Sequence, residues 1–494
     1  MESLPVELLI QIFSSFCLHC RRPDIFPNAD LDEDRSDKRV LARLCRTSKS
    51  ICSVAQPILY HYYATGNNRV RIYKADGLIG FPNEPDLLPQ FVRTIAQRPD
   101  LASQVSAMHI ARTKSLVGYE TQMQTVKSLF EYSISRNLLG KPDLPDNWID
   151  GHFHRWRAEQ PENLHRWLAT LAMVLSPRLK SLYLNIDTEA RFSALEDSPH
   201  LKLLSLRTLG VMSHVIDYHF KELEGLYAAA PNLETIYACN SAGWISKLMY
   251  DSPLKMHYFP NVKKLVISDL AIEELESLLH CVPKLEHLEY YWDDRDDERE
   301  YDFKDAAEWL EPAKTTLKRL CISFLPRPVH LDPFPKWITP PVVDYPPIES
   351  LREFTSLEYL SIDCFLLYGA SDRDVARRLV DLLPRSIRFL RITYVYRGIE
   401  RCLRHLAAVA PERFPFLKKV VLGVAERTDP RYDYEIQSSI TDVHEFRASG
   451  IKFELLDENH LGPYARSIIP GDVVGMMVNQ LPRGKAAGFG VIDD

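Results

Sequence analysis

The sequence lacks the marks of membrane and secreted proteins. It contains no run of about 18 uninterrupted apolar residues, so no membrane-spanning segment is expected. The apolar stretch from Leu4 to Leu18 has no basic flank and is interrupted by Glu7, which argues against a signal peptide. None of the asparagines begins an Asn-x-Ser/Thr sequon, and nine cysteines are scattered without a tight framework. This pattern is typical of reduced thiols in a cytoplasmic or nuclear protein.

The sequence also lacks excess positive charge and the common catalytic motifs. Sixty Lys and Arg against 67 Asp and Glu give a net charge of -7, so no nucleic acid partner is expected. There is no Gly-x-Ser-x-Gly, no Gly-x-Gly-x-x-Gly and no phosphate loop, which predicts a non-enzyme without a cofactor. Cys17 and Cys20 form a lone Cys-x-x-Cys pair, interpreted as ordinary thiols because structural zinc usually needs four ligands. Asp150, His152 and His154 are a weaker metal candidate, so no metal is predicted.

The N-terminus carries the periodicity of an amphipathic helix. Leu4, Leu8, Ile12 and Phe16 recur every four residues, and a second apolar row runs beside them through Leu9 and Phe13. Ser3 is suited to cap this helix, whose first turn tolerates Pro5. The width of the apolar face indicates packing inside a module and also against a partner, although core packing alone would produce a similar pattern.

Two further blocks follow in a fixed order. Leu-Pro-x-Glu-Leu-Leu-x-x-Ile-Phe at 4–13 precedes Leu-Ala-Arg-Leu-Cys-Arg-Thr-Ser-Lys-Ser-Ile-Cys at 41–52 and Gln-Pro-Ile-Leu-Tyr at 56–60. Together they resemble the F-box of fungal F-box proteins. The resemblance implies a three-helix F-box module over 1–65 that binds the Skp adaptor, and through it the cullin, of an SCF (Skp, cullin, F-box) ubiquitin ligase. The implied adaptor-binding residues are Leu4, Pro5, Leu8, Ile12, Leu44 and Ser48.

The link between the first two helices departs from the family. It runs from about Cys17 to Arg39, where the family has a short turn. Its acidic residues Asp30, Asp32, Glu33 and Asp34 predict a solvated loop. Such an insertion costs little stability because the entropy of loop closure grows only logarithmically with length. Pro57 predicts a helix break or a new helix start.

An apolar-x-x-apolar-x-apolar pattern recurs through most of the remaining chain. Ten copies begin at Val105, Leu179, Leu201, Leu233, Val262, Leu285, Leu317, Leu357, Ile387 and Leu417. Their last positions alternate as in a strand, and several follow a helical segment that ends at a proline, at Pro283, Pro384 or Pro411. The fold class is therefore α/β: an irregular solenoid that resembles leucine-rich repeats, with parallel strands on the concave side and helices outside. A non-repeat α/β domain with leucine-rich strands remains the alternative.

The predicted solenoid spans 66–460, with insertions at 111–178 and 326–347, and a C-terminal tail covers 461–494. Helices are expected at 121–138 and 162–175, and the proline-rich segment at 326–347 is expected to be extended. The side chains between the core positions of each strand should form an exposed concave surface. The target-binding residues predicted there are Tyr183, Arg207, Tyr237, His287, Tyr291, Arg319, Tyr359, Asp363 and Arg391.

Three functions remain open on the sequence alone. The first is a substrate receptor that holds an adaptor through the F-box and an unknown target protein through the solenoid. The second is a leucine-rich scaffold, not engaged in ubiquitination, whose N-terminal helices pack only on its own first repeats. The third is an enzyme with an unfamiliar site, for which the segment from Asp150 to His154 is the candidate.

Overall fold

A computed structural model describes a large part of the chain. The described residues are 4–21, 32–64, 72–73, 79–80, 87–110, 122–140, 160–186, 192–213, 223–239, 258–268, 270, 272–292, 305–324, 347–367, 375–395, 399–424, 446 and 448–457. Several predictions lie outside them: the Ser3 cap, the metal candidate Asp150, His152 and His154, the proline-rich segment up to residue 346, and the tail from 461.

The N-terminus folds into helices, as its periodicity predicts. Their bounds are Val6–Ser14 (α1), Leu18–Arg21 (α2), Asp32–Leu44 (α3) and Lys49–Leu59 (α4). The prediction of a loop from Cys17 to Arg39 is wrong in part, because α2 and the start of α3 lie within it. The predicted break at Pro57 is also wrong, since α4 continues through it. Proline there leaves only the Ser53 carbonyl without its helical donor, and Ser53 is exposed to solvent.

The remaining helices are mostly short. They are Leu88–Gln97 (α5), Pro99–Ala102 (α6), Met123–Ser135 (α7), Gln160–Leu175 (α8), Ser193–Glu196 (α9), Glu224–Ala229 (α10), Ile272–His280 (α11), Ala306–Trp309 (α12), Arg378–Leu382 (α13) and Ile399–Arg413 (α14), with 3-10 turns at Glu311–Ala313, Cys364–Leu366 and Val375–Arg377. The helices predicted at 121–138 and 162–175 are confirmed as α7 and α8. Pro411 does not end α14, which continues to Arg413. Within the described ranges, no helix is long and apolar enough to cross a membrane.

Twelve strands form one parallel sheet in the order in which they occur along the chain. They are Tyr62–Ala64 (β1), Ala107–Ile110 (β4), Ser181–Ile186 (β5), Thr208–Ser213 (β6), Thr235–Cys239 (β7), Lys264–Ser268 (β8), His287–Trp292 (β9), Arg319–Phe324 (β10), Tyr359–Asp363 (β11), Phe389–Val395 (β12), Lys419–Val424 (β13) and Lys452–Asp457 (β14). Ile72–Tyr73 (β2) and Ile79–Gly80 (β3) form a separate antiparallel pair. The α/β class with parallel strands is thus confirmed.

The apolar positions of the repeated pattern align from strand to strand. One row, fully buried, consists of Leu265, Leu288, Leu320, Leu360, Leu390 and Val420, which pair in register across β8 to β13. Tyr290, two residues beyond Leu288, faces the helices: its hydroxyl donates to the Leu270 carbonyl at 2.7 Å, and its ring meets Trp309 of α12 edge-on. This side of the sheet therefore carries the core, and the intervening residues point to the other side.

One predicted repeat is out of register. The pattern at Leu201, Leu204 and Leu206 was expected to form a strand, but Leu204 is 59% exposed and β6 begins only at Thr208. The core residues of this repeat are Leu206, Leu209 and Val211, and Leu209 pairs with Leu182 of β5. Leu206 fits the last apolar position of the predicted repeat and also the first apolar position of the repeat that forms. The spacing alone therefore could not decide which of the two repeats is the strand.

The chain divides into two compact units, one containing Met1–Tyr237 and the other Ala238–Pro463. The N-terminal helices do not stand apart from the first unit. Buried residues of α1, α3 and α4 share one core with Tyr62 of β1 and Ala107 of β4. Shared apolar packing thus joins the predicted 1–65 module to the strands that follow it.

Candidate functional site

Helix α1 presents apolar side chains on both its buried and its exposed sides. Leu9 and Phe13 are only 2% and 1% exposed and lie in the core shared with α4. Leu8 and Ile12, one turn apart on one flank, are 45% and 44% exposed, and Leu4, which precedes the helix, is also exposed. We call Leu4, Leu8 and Ile12 the α1 row. A contiguous apolar row in water is a feature of interaction sites rather than of ordinary surface.

The other predicted adaptor residues have mixed environments. Pro5 is exposed and precedes α1, whereas Leu44 is half-buried against the helical core. Ser48 caps α4, because its hydroxyl oxygen accepts a hydrogen bond from the Ile51 amide at 3.2 Å. Val6 and Ile10, on the opposite flank of α1, are also exposed, and sequence reasoning had not singled them out.

The predicted target-binding face is largely buried, which corrects the expectation of an open surface. Six of its nine residues are almost inaccessible to solvent: Tyr183, Tyr237, His287, Tyr291, Asp363 and Arg391. Side chains on adjacent parallel strands stand only about 5 Å apart, so large polar groups cover one another. Tyr183, for example, packs against His109 of the neighbouring strand, with ring centroids 4.5 Å apart.

In the second unit, the buried carboxylate of Glu289 contacts three side chains. Its Oε1 lies 2.9 Å from His287 Nε2 and 3.6 Å from Lys264 Nζ, and the Tyr291 hydroxyl donates to its Oε2 at 2.8 Å. The His287 contact is a close approach and not a hydrogen bond. Burial opposes the charge of Glu289, yet these three partners together lower its pKa. Burial also lowers the pKa of His287, which favours a neutral imidazole.

Asp363 forms a second buried acidic centre on the same face. Its Oδ1 accepts hydrogen bonds from the Ser323 hydroxyl at 3.0 Å and from the Thr393 hydroxyl. These donors belong to β10 and β12, the two neighbours of β11 in the sheet. Asp363 therefore ties three strands together, and a carboxylate satisfied in this way has a structural role.

The accessible part of this face is a row of residues that begin four successive strands. Arg319, Tyr359, Phe389 and Lys419 pair in register, and we call them the ladder row. The rings of Tyr359 and Phe389 stack with centroids 4.6 Å apart. Arg319 lies 6.0 Å from the centroid of Tyr359 and Lys419 lies 5.7 Å from that of Phe389, so a cation flanks each end of the stack. Arg319 is exposed and the other three are half-buried.

Arg207 does not belong to this surface. It precedes β6 and forms an ion pair with Glu234, at 3.2 Å, in the first unit. The position in β6 that pairs with Tyr183 is Gly210. The prediction placed Arg207 on the surface because it follows Leu206, which the pattern makes the last core residue of a strand. The strand begins only at Thr208, so this placement is wrong.

A cluster of potential metal ligands lies beside α1. Cys17, His19, Cys20 and His61 each offer a ligand atom, and these atoms lie within 4.8 Å of one another. The sequence offered no second ligand pair near the two cysteines, whereas the fold brings His61 to them from the end of α4. Interaction with the Cys17 thiol, together with His19 and His61, lowers the pKa of Cys20 and favours its thiolate.

Neither a family model nor a curated protein matches this sequence. Inference about function therefore rests on the residues described above.

Proposed function

We propose that this chain is the substrate-recognition subunit of an SCF-type ubiquitin ligase. Helix α1 binds the Skp adaptor, which connects the chain to the cullin, and an irregular leucine-rich solenoid holds the target protein. The exposed α1 row is the observation that carries the proposal. Such a receptor works in the cytoplasm or nucleus, and the attached ligase performs the ubiquitin transfer, so the chain itself supplies no catalytic group.

The two sides of α1 explain why the row suits a partner. Leu9 and Phe13 already anchor the helix, so its fold does not require apolar residues at Leu8 and Ile12. Each of the latter is already more than half buried, so burying the remainder in a complex contributes about 0.7 to 1.4 kcal/mol.

The ladder row supports a target site on the sheet. Its stacked rings offer a rigid apolar surface at little entropic cost, and the exposed Arg319 can pair with an acidic group of a target, whereas Lys419 already pairs with Glu454 at 2.6 Å. The target surface proposed here is narrower than the whole sheet face, because the buried residues around Glu289 and Asp363 are engaged with one another.

One observation favours the scaffold as a second candidate. The helical core includes Tyr62 and Ala107, so the N-terminal helices pack on the first strands of the sheet, as the scaffold requires. The scaffold gives no reason for the exposed α1 row. The receptor accommodates both features, because the helices use one side for the chain and another for the adaptor.

Affinity purification of the tagged full chain from its own cells, followed by mass spectrometry, tests the proposal. The receptor predicts recovery of both the adaptor and the cullin in amounts comparable to the bait. A variant with Leu8→Asp and Ile12→Asp should recover neither. Recovery of other partners without adaptor or cullin, under mild washing, would favour the scaffold.

A further inference from the structure

We propose that Cys17, His19, Cys20 and His61 bind one structural zinc ion. This site goes beyond the proposed function, and its existence does not depend on adaptor binding. Two thiolates and two imidazoles form one of the common donor sets of tetrahedral structural zinc. All four donors belong to the protein, which leaves no open position for a substrate.

The distances between donor atoms suit a tetrahedral ion. With Zn–S near 2.3 Å and Zn–N near 2.0 to 2.1 Å, a sulfur and a nitrogen ligand should lie about 3.5 Å apart. His61 Nδ1 lies 3.2 Å from Cys20 Sγ and 3.9 Å from Cys17 Sγ, on either side of that value. Small side-chain shifts are therefore enough to close the site around an ion.

The hydrogen bonds of His19 leave one ring nitrogen ready for a metal. The Ser106 hydroxyl donates to the His61 carbonyl at 2.9 Å, so its oxygen is free to accept from His19 Nε2, 3.0 Å away. In the tautomer that donates this hydrogen bond, the proton lies on Nε2 and the lone pair on Nδ1. His19 Nδ1 is buried and has no hydrogen-bond partner, so its lone pair is available. Zinc-bound histidines typically have this kind of support on the second nitrogen.

The ligands come from two separate parts of the chain. Cys17 directly precedes α2, and His19 and Cys20 lie within it, whereas His61 lies between α4 and β1. Ser106, which supports His19, precedes β4. A bound ion would fix the end of α1 to the first strands of the sheet. Binding releases the proton of each thiol that is still protonated, so both sulfurs bind as thiolates.

Metal titration of the reduced full chain tests the site. After treatment with a chelator, the protein should take up one equivalent of zinc, and cobalt(II) in its place should give the intense visible bands of a tetrahedral site together with thiolate charge transfer. Cys20→Ser and His61→Ala should abolish this spectrum, whereas Cys52→Ser, in the adjacent α4, should leave it unchanged. Ser106→Ala should weaken zinc binding roughly tenfold to a hundredfold.

His61→Cys separates metal binding from a purely structural role of the histidine. This variant should take up zinc, unlike His61→Ala. Its cobalt charge-transfer bands should be stronger than those of the wild-type chain, because a third thiolate replaces the imidazole. Absence of metal uptake by the reduced wild-type chain, or uptake that persists in Cys20→Ser, would overturn the proposal. A disulfide between Cys17 and Cys20 that forms equally well with zinc present would also overturn it.

Discussion

The flank of α1 and the non-helical face of the sheet in Ala238–Pro463 distribute polarity in opposite ways. On α1, Leu8 and Ile12 are apolar and exposed. On the sheet, Glu289 and Asp363 are charged residue types and buried. The first arrangement exposes apolar surface without a benefit to the fold, and the second removes polar groups from water but pairs them.

This contrast distinguishes the exposed apolar residues of α1, which are available to bind another protein, from the buried acidic residues of the sheet, which already contact side chains of the same chain. Glu289 and Asp363 are occupied by side chains of their own sheet, so their cost of burial is offset within the chain. The α1 row has no such offset among the described residues. Function is therefore better sought at exposed apolar groups, and in the ladder row, than among the buried polar ones.

The largest expected effect concerns the adaptor. Replacing Leu8 and Ile12 together by aspartate should remove about 1.5 to 3 kcal/mol of apolar contact and add the larger cost of placing two charges in an apolar interface. Adaptor binding should become undetectable by calorimetry while circular dichroism stays unchanged. The matched control replaces Val6 and Ile10, which are equally exposed on the other flank of α1, and should keep most of the affinity. Equal losses in both variants would contradict the assignment of the interface.

The next effect concerns stability. Glu289→Ala leaves Lys264, His287 and Tyr291 without their shared carboxylate, which should cost about 3 to 5 kcal/mol of unfolding free energy. Glu286→Ala is the matched control: Glu286 pairs with Lys318 at 2.8 Å near the surface, and its loss should cost about 0 to 1 kcal/mol. Urea titrations measure the unfolding free energies, and the slope of free energy against urea concentration should be equal in the variants and the wild-type chain. Similar costs for the two variants would mean that the Glu289 contacts do not stabilise the unit.

A smaller effect is expected at the ladder row. Tyr359→Ala combined with Phe389→Ala removes the stacked pair and should reduce target recovery at least tenfold, about 1.4 kcal/mol, with adaptor binding intact. Quantitative mass spectrometry of proteins that copurify with the wild-type chain provides the comparison. Phe416→Ala, an exposed aromatic outside the row, serves as the control. Unchanged recovery in the double variant would remove the ladder row as the target site.

The smallest effect is a pH dependence of stability. Burial lowers the pKa of His287 below its ordinary 6.5, so the unfolded chain binds this proton more readily. The stability from the neutral ring is therefore present above pH 6.5 and falls as the pH drops from there through the folded pKa. Glu289, with a pKa lowered from 4.5, contributes a further loss only at lower pH. Between about pH 7 and 5, the unfolding free energy of His287→Gln should decrease less than that of the wild-type chain. Equal decreases in the two proteins would contradict the assignment of this pH dependence to His287.

Much of the fold could be predicted from periodicity. The spacing of apolar residues predicted the parallel strands β4, β5 and β7 to β13 and several helices, because each position must reach the same core. It did not predict β1 and β14, which belong to none of the predicted repeats. It failed at Leu201, Leu204 and Leu206, where a shared leucine allowed two frames. It also failed at Pro57, because the rule for proline assumes that the lost hydrogen bond is costly at that site.

The sites were harder to predict, for physical reasons. Alternation tells which face a side chain joins, but not whether neighbouring strands cover it, so Tyr183 and Asp363 were expected on the surface and are buried. The link from Cys20 to His61 spans 41 residues and is made only by the packing of α4, which no local spacing reveals. The α1 row was predicted as an adaptor contact from a family resemblance, and that role remains a prediction.

Calorimetric titration of the purified wild-type chain with purified Skp adaptor, at several temperatures, tests the central claim most directly. The receptor predicts a one-to-one complex whose formation has a negative heat-capacity change, because the exposed Leu4, Leu8 and Ile12 leave water on binding. Absence of heat at every temperature, together with separate elution of the two proteins at micromolar concentration, would contradict it.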